Sequence, residues 1–173
     1  MQKYNDITNI DLLSNKRIKY EIVSINNYIQ YQTSTKLNIT DYCIDRENLY
    51  FEIIDKNKIN FSVIYKDKCS IYFTMKLQQE YPFRPPTVHF RTKNYNEILC
   101  NLNIYINNFK SHGDKNQKCL CCNTLTCRSN WGPQLKIIDV IEEIYGIYQL
   151  INTYIENMLL SKIYDKYLGY NIH

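Results

Sequence analysis

Tyr81-Pro82-Phe83-Arg84-Pro85-Pro86-Thr87-Val88-His89-Phe90 is the stretch that decides how this chain is organised. Three of the protein's four prolines lie in it. Proline has no backbone N–H to give to a sheet and holds φ fixed, so no strand passes through such a segment. Residues that precede proline are pushed towards extended backbone. The segment therefore predicts that the chain leaves a strand near Leu77, runs as a stiff turn, and re-enters a strand at Thr87-Val88. Phe83 is displayed on that turn, where a rigid aromatic serves shape or recognition.

Working outward, the residues before the turn read as a meander. Leu49–Ile54 is a strand, turned by Asp55-Lys56-Asn57-Lys58. Ile59, Phe61, Val63 and Tyr65 alternate with Asn60 and Ser62; Lys66-Asp67-Lys68 makes the next turn. Ile71, Phe73, Met75 and Leu77 then alternate with Ser70, Tyr72, Thr74 and Lys76. Alternation with short turns predicts an antiparallel sheet with one buried face. With the strand near Val88–Arg91 the sheet has four strands. Residues 8–25 read as an amphipathic helix capped by Thr8 or Asn9, with Ile18, Ile22 and Ile25 at helical spacing and Lys16, Arg17 and Lys19 on a basic outer face. Residues 26–48 give no clear pattern, and residues 92–130 read as a long loop. After Trp131-Gly132-Pro133, the residues Ile137, Ile141, Ile144, Tyr148 and Ile151 form a helical stripe, with Asp139, Glu142 and Glu143 opposite. Residues 153–168 read as a last helix or a continuation of that one. The order predicts one α+β domain over residues 1–173.

Bulk properties agree with a globular chain: 173 residues, 45% hydrophobic and 22% charged. The abundance of Tyr, Asn, Ile and Lys reads as coding bias from an AT-rich genome, as in a parasite, protist or large virus. The net charge of +4 suits an acidic protein partner, and no Lys/Arg run is dense enough for nucleic acid. No stretch reaches the roughly 18–20 apolar residues that span a bilayer, and the N-terminus lacks a signal-peptide core. The expectation is an intracellular protein, cytoplasmic or nuclear, in the host cell if the genome is viral. Seven cysteines, four of them within Cys119–Cys127, read as catalytic or metal-binding in a reducing compartment.

Together these landmarks resemble the ubiquitin-conjugating enzymes. The phrase from Tyr81 to Phe90 matches that family's tyrosine-proline-phenylalanine-lysine-proline-proline signature. Trp131-x-Pro133 before an Ile-rich helix matches its tryptophan-x-proline motif, and Asn15-Lys16-Arg17-Ile18-Lys19-Tyr20-Glu21-Ile22 resembles its first helix. The motifs occur in the family's order and cover about residues 12–152. The resemblance implies the family's fold, with an N-terminal helix, a four-stranded meander and C-terminal helices, here truncated to the 22 residues after Ile151. It implies a transferase that takes ubiquitin or a ubiquitin-like protein from an activating enzyme as a cysteine thioester and passes it to a lysine, with a ubiquitin ligase as further partner and no cofactor.

Residue by residue, Cys121 is the preferred nucleophile: Leu120, Asn123 and Leu125 then fall at matching positions. Cys119 is the alternative, gaining only Leu120 as the following leucine. Asn103, in Asn101-Leu102-Asn103-Ile104-Tyr105, is the candidate oxyanion donor, with Asn96 as alternative. Phe83 and Arg84 with Pro133 and Gln134 make the implied ligase patch, while Lys16, Arg17 and Lys19 face the activating enzyme. Some features depart from the family. There is no histidine-proline-asparagine motif, Phe109–Lys118 reads as inserted, and the acidic loop after the tryptophan-proline helix is missing. These motivate a second reading, in which the fold is kept as an inactive ubiquitin- or partner-binding module. The cysteines also admit a structural zinc on Cys119, Cys122 and Cys127 with Cys100 or His112. His89 reads as packed in its strand, and His112 as a solvated loop residue.

Overall fold

The structure, a computed structural model, describes residues 9–30, 49–65, 69–109 and 120–167. Among these residues the chain is α+β. Helix α1 (Lys16–Gln30) precedes strands β1 (Leu49–Asp55), β2 (Lys58–Tyr65), β3 (Cys69–Lys76), β4 (Thr87–Phe90) and β5 (Lys93–Asn94). Helices α2 (Tyr95–Phe109) and α3 (Ile137–Tyr167) follow. The sheet is an antiparallel meander in the order β1-β2-β3-β4-β5. It therefore has five strands, not four. The fifth is two residues long, too short to carry a period, and pairs Phe90 with Lys93 across a turn in which Arg91 holds a φ of 57°.

Alternation in β1–β3 places Leu49, Phe51, Ile53, Ile59, Phe61, Val63, Ile71, Phe73 and Met75 in one buried layer. The register sets Phe51 against Phe61 and Phe61 against Phe73. Their rings meet at centroid distances of 6.3 and 5.5 Å, within the range of favourable aromatic pairs. Ile18, Ile22 and Ile25 of α1 and Ile137, Val140, Ile141 and Ile144 of α3 join the same core. The other sheet face is polar: Thr74 donates to Asn60 Oδ1 at 2.7 Å.

The first helix starts later than its apolar spacing predicts. Ile10–Leu12 is a separate 3-10 turn, after which Leu13 is extended and buried. Asn15, rather than Thr8 or Asn9, caps α1: its Oδ1 accepts from the Arg17 and Ile18 amides at 2.8 and 3.4 Å. The expected loop over 92–130 contains the 15-residue α2, capped by Asn94, whose Oδ1 accepts from Asn96 N at 2.9 Å. Tyr95 and Leu99 bury its inner face. Residues 137–167 are one continuous helix, its start closed by Asp139, which accepts from Lys136 N at 2.7 Å as in a capping box. The expected turn at 66–68, the unassigned 31–48 and the inserted-looking 110–118 lie outside the described residues. No helix among the described residues is long and apolar enough to cross a membrane.

Candidate functional site

The proline turn is fixed from three sides. Its Tyr81–Pro82 peptide is cis. The Tyr81 carbonyl accepts from Asn15 Nδ2 at 2.8 Å, and the Pro82 carbonyl from the Trp131 indole N–H at 2.7 Å. The Tyr81 hydroxyl donates to Glu21 Oε2 at 2.7 Å. That same oxygen accepts from Ile137 N at 2.8 Å, while Arg17 Nε pairs with Oε1. Glu21 is 3% exposed, so one buried carboxylate joins α1, the proline turn and the first residue of α3. Burial, and then the bond to Glu21, raise the Tyr81 phenol far above its ordinary pKa, so it stays a donor.

This knot gathers the residues expected to meet partners. Phe83 is 77% exposed, and Pro133 and Gln134 are exposed on the segment that Trp131 ties to the same turn. Arg84 is exposed and sits 3.6 Å from Glu80. On α1, Lys16 is exposed and Lys19 is 3.2 Å from Asp11. Arg17 is not a plain member of an outer basic face, because its guanidinium turns onto buried Glu21.

Cys121 stands on a 3-10 turn, Leu120–Asn123, and is half-buried against the core. The chain from there to Trp131 is held by side-chain bonds to backbone groups, which satisfies a segment too short for regular structure. Thr124 Oγ1 donates to the Cys121 carbonyl at 3.0 Å. Asn130 Nδ2 donates to the carbonyls of Cys122 and Thr124 at 2.7 and 3.0 Å. Leu125 N donates to Glu143 Oε2 at 2.6 Å. Asn96 of α2 accepts on Oδ1 from Thr126 at 2.9 Å, and Thr124 Oγ1, whose one hydrogen goes to the Cys121 carbonyl, lies 3.4 Å from the same oxygen. Both threonines are buried. Asn96→Ala is expected to lower stability by about 1–2 kcal/mol, since the buried Thr126 hydroxyl loses this acceptor while Thr124 keeps the Cys121 carbonyl. A drop in melting temperature of a few degrees in calorimetry checks it.

Among the described residues, two sulfurs approach Cys121. Cys100 Sγ on α2 is 3.0 Å away, and Cys122 Sγ is 3.9 Å away. Cys127 Sγ lies instead 3.2 Å from Ser129 Oγ. Cys100 and Cys122 thus each approach Cys121, and Cys127 has a separate contact. Among the described residues no group of three or more His, Cys, Asp or Glu has metal-holding geometry. Cys119 and His112 lie outside the described residues. Asn103 falls in the middle of α2, its side chain likewise undescribed, whereas Asn96, the alternative, accepts from Thr126 of the segment after the cysteine turn.

Glu143 is not on the solvent face assigned to it by the helical stripe. Its carboxyl is largely buried, and burial raises its pKa to about 7 against the opposing effect of the Leu125 N–H bond. Its second oxygen and the Tyr95 hydroxyl are both buried without a hydrogen-bond partner. Burial and the Glu143 charge push the Tyr95 phenol far up. Behind the cysteine turn, a polar hollow of about 250 Å³ is lined by Arg84, Thr87, Asn96, Thr126 and Arg128 among others. Compared with known proteins, the chain matches no protein-family model, no curated protein and no solved structure.

Proposed function

We propose that this chain is a ubiquitin-conjugating-type transferase with that family's fold, and that Cys121 is its thioester-forming residue. The Cys121 thiolate attacks the carbonyl of the thioester held by an activating enzyme, and that enzyme's thiolate leaves. A lysine amine then attacks the new thioester, loses a proton, and Cys121 leaves as thiolate. Exchange between two thiols needs little driving force. What the site must supply is a fixed, accessible sulfur and a surface for partners.

The observation that carries this reading is the coupling of those two parts. The exposed Phe83 turn and the Trp131–Gln134 segment are joined by the Trp131–Pro82 bond, and the Cys121 turn leads directly into Trp131. Asn96 is taken forward as the oxyanion candidate, since its Oδ1 holds Thr126 in the segment that follows the Cys121 turn. Incubation with activating enzyme, ubiquitin and ATP is expected to give an adduct on non-reducing gels that thiols remove. Cys121→Ala loses it and Cys119→Ala keeps it. No adduct in the wild type with any ubiquitin-like modifier would sink the proposal.

A specific observation favours a second reading, a non-covalent binding module: Asn103 lies within helix α2, not in a loop that brings an asparagine to the nucleophile. Ubiquitin binding without charging is its signature.

A further inference from the structure

Cys100 and Cys121 are 21 residues apart in sequence, yet their sulfurs are 3.0 Å apart. Each is fixed by a packed element, α2 on one side and the 3-10 turn on the other, and these two elements lie against one another. Cysteine has one side-chain torsion, so little freedom is lost in holding the pair together. A disulfide has an S–S length of about 2.05 Å, so closing this one takes about 1 Å of movement. Cys100 is exposed and Cys121 half-exposed, which leaves a small oxidant a route to them. Among the described residues, the Cys122 sulfur is the next nearest to Cys121, at 3.9 Å.

We propose that Cys100 and Cys121 form a reversible disulfide under hydroperoxide, a modification site that caps the Cys121 thiol. The exposed Cys100 thiolate attacks one peroxide oxygen, the O–O bond breaks, and Cys100 becomes a sulfenic acid as hydroxide leaves and takes up a proton. The Cys121 thiolate then attacks the Cys100 sulfur. The S–S bond forms, the S–O bond breaks, and the second hydroxide leaves as water. In sum, two thiols and one hydrogen peroxide give one disulfide and two waters. Formation of the bond does not depend on the transferase reading; only its consequence, loss of charging, rests on it.

The test treats the full chain with hydrogen peroxide, blocks remaining thiols with N-ethylmaleimide, and maps peptides by mass spectrometry. The expected product is a Cys100–Cys121 cross-linked peptide, two hydrogens lighter than its parts and lost after dithiothreitol. Cys100→Ser removes it, whereas Cys122→Ser keeps it. Cross-links from Cys121 to Cys122, to Cys119 or to a second copy, or a Cys121 that stays open to N-ethylmaleimide, would overturn the proposal. In the charging assay, peroxide-treated wild type loses its adduct and regains it after reduction and removal of the reductant, while Cys100→Ser escapes this disulfide-dependent loss. If the wild type never charges but the cross-link forms, the transferase reading fails and the modification site stands.

Discussion

Glu21→Ala is expected to cost about 3–5 kcal/mol of folding stability, chiefly because two buried donors lose their acceptor, at about 1–3 kcal/mol each. Glu21 is 3% exposed and its two oxygens serve three groups: Arg17, the Tyr81 hydroxyl and Ile137 N. Alanine leaves the phenol and the amide buried without an acceptor, each a desolvated polar group costing about 1–3 kcal/mol. It also removes a negative charge from the N-terminus of α3, where the helix dipole favours one. Glu21→Gln keeps one acceptor oxygen and the volume but loses the charge, so its cost should be smaller, about 1–2 kcal/mol. Urea unfolding of the three proteins measures this. Because Trp131 donates to the turn that Glu21 holds, its fluorescence should also report a looser environment in the folded Ala variant. A cost below about 1 kcal/mol for alanine would mean that the carboxylate does not join these three elements in solution.

That knot also marks where the sequence stops being readable. The sheet was legible because burial on one face imposes a period of two: Phe51, Phe61 and Phe73 are written into β1–β3 before any fold is known. The prolines likewise dictate the break between β3 and β4. Glu21 carries no such signal. A glutamate between Tyr20 and Ile22 on a helix reads as solvated, and only the arrival of Tyr81 and Ile137 from far along the chain makes it a hub. Helix α2 was missed because its apolar residues, Tyr95, Leu99 and Leu102, are interrupted by asparagines that locally favour caps and turns. Packing against the core overrides that preference. The site divides in the same way. The cluster of cysteines in sequence marked this segment, and the resemblance to the ubiquitin-conjugating enzymes singled out Cys121 within it, whereas Cys100, Asn96, Asn130 and Glu143 reach its turn through tertiary contacts. Glu143 misled for a definite reason: on a helix stripe it sits opposite Ile141 and Ile144, but the cysteine loop folds over that face and gives it Leu125 N to bind.

Glu143 should consequently make the protein's stability depend on pH. Its folded pKa of about 7 lies above the ordinary 4.5, so between these values the folded state holds a proton that the unfolded chain has released. Stability then falls as pH rises through that window. Below about 4.5 both states are protonated and the carboxyl is neutral. Above about 7 the folded state carries a buried charge whose second oxygen lacks a partner, beside the Tyr95 hydroxyl. Glu143→Gln keeps an acceptor for Leu125 N and abolishes the titration. Relative to wild type, it should gain on the order of 2–3 kcal/mol between pH 4.5 and pH 8, since one pKa unit is about 1.4 kcal/mol. Glu143→Leu also removes the titration but loses the acceptor, so it should follow the flat profile of glutamine at lower overall stability. Parallel urea melts across this range decide the matter. Wild type and Glu143→Gln running parallel would mean that the carboxyl titrates at an ordinary value. In that case the bond to Leu125 N would be made by a solvated carboxylate, and the turn would be closed on that side by a group open to water.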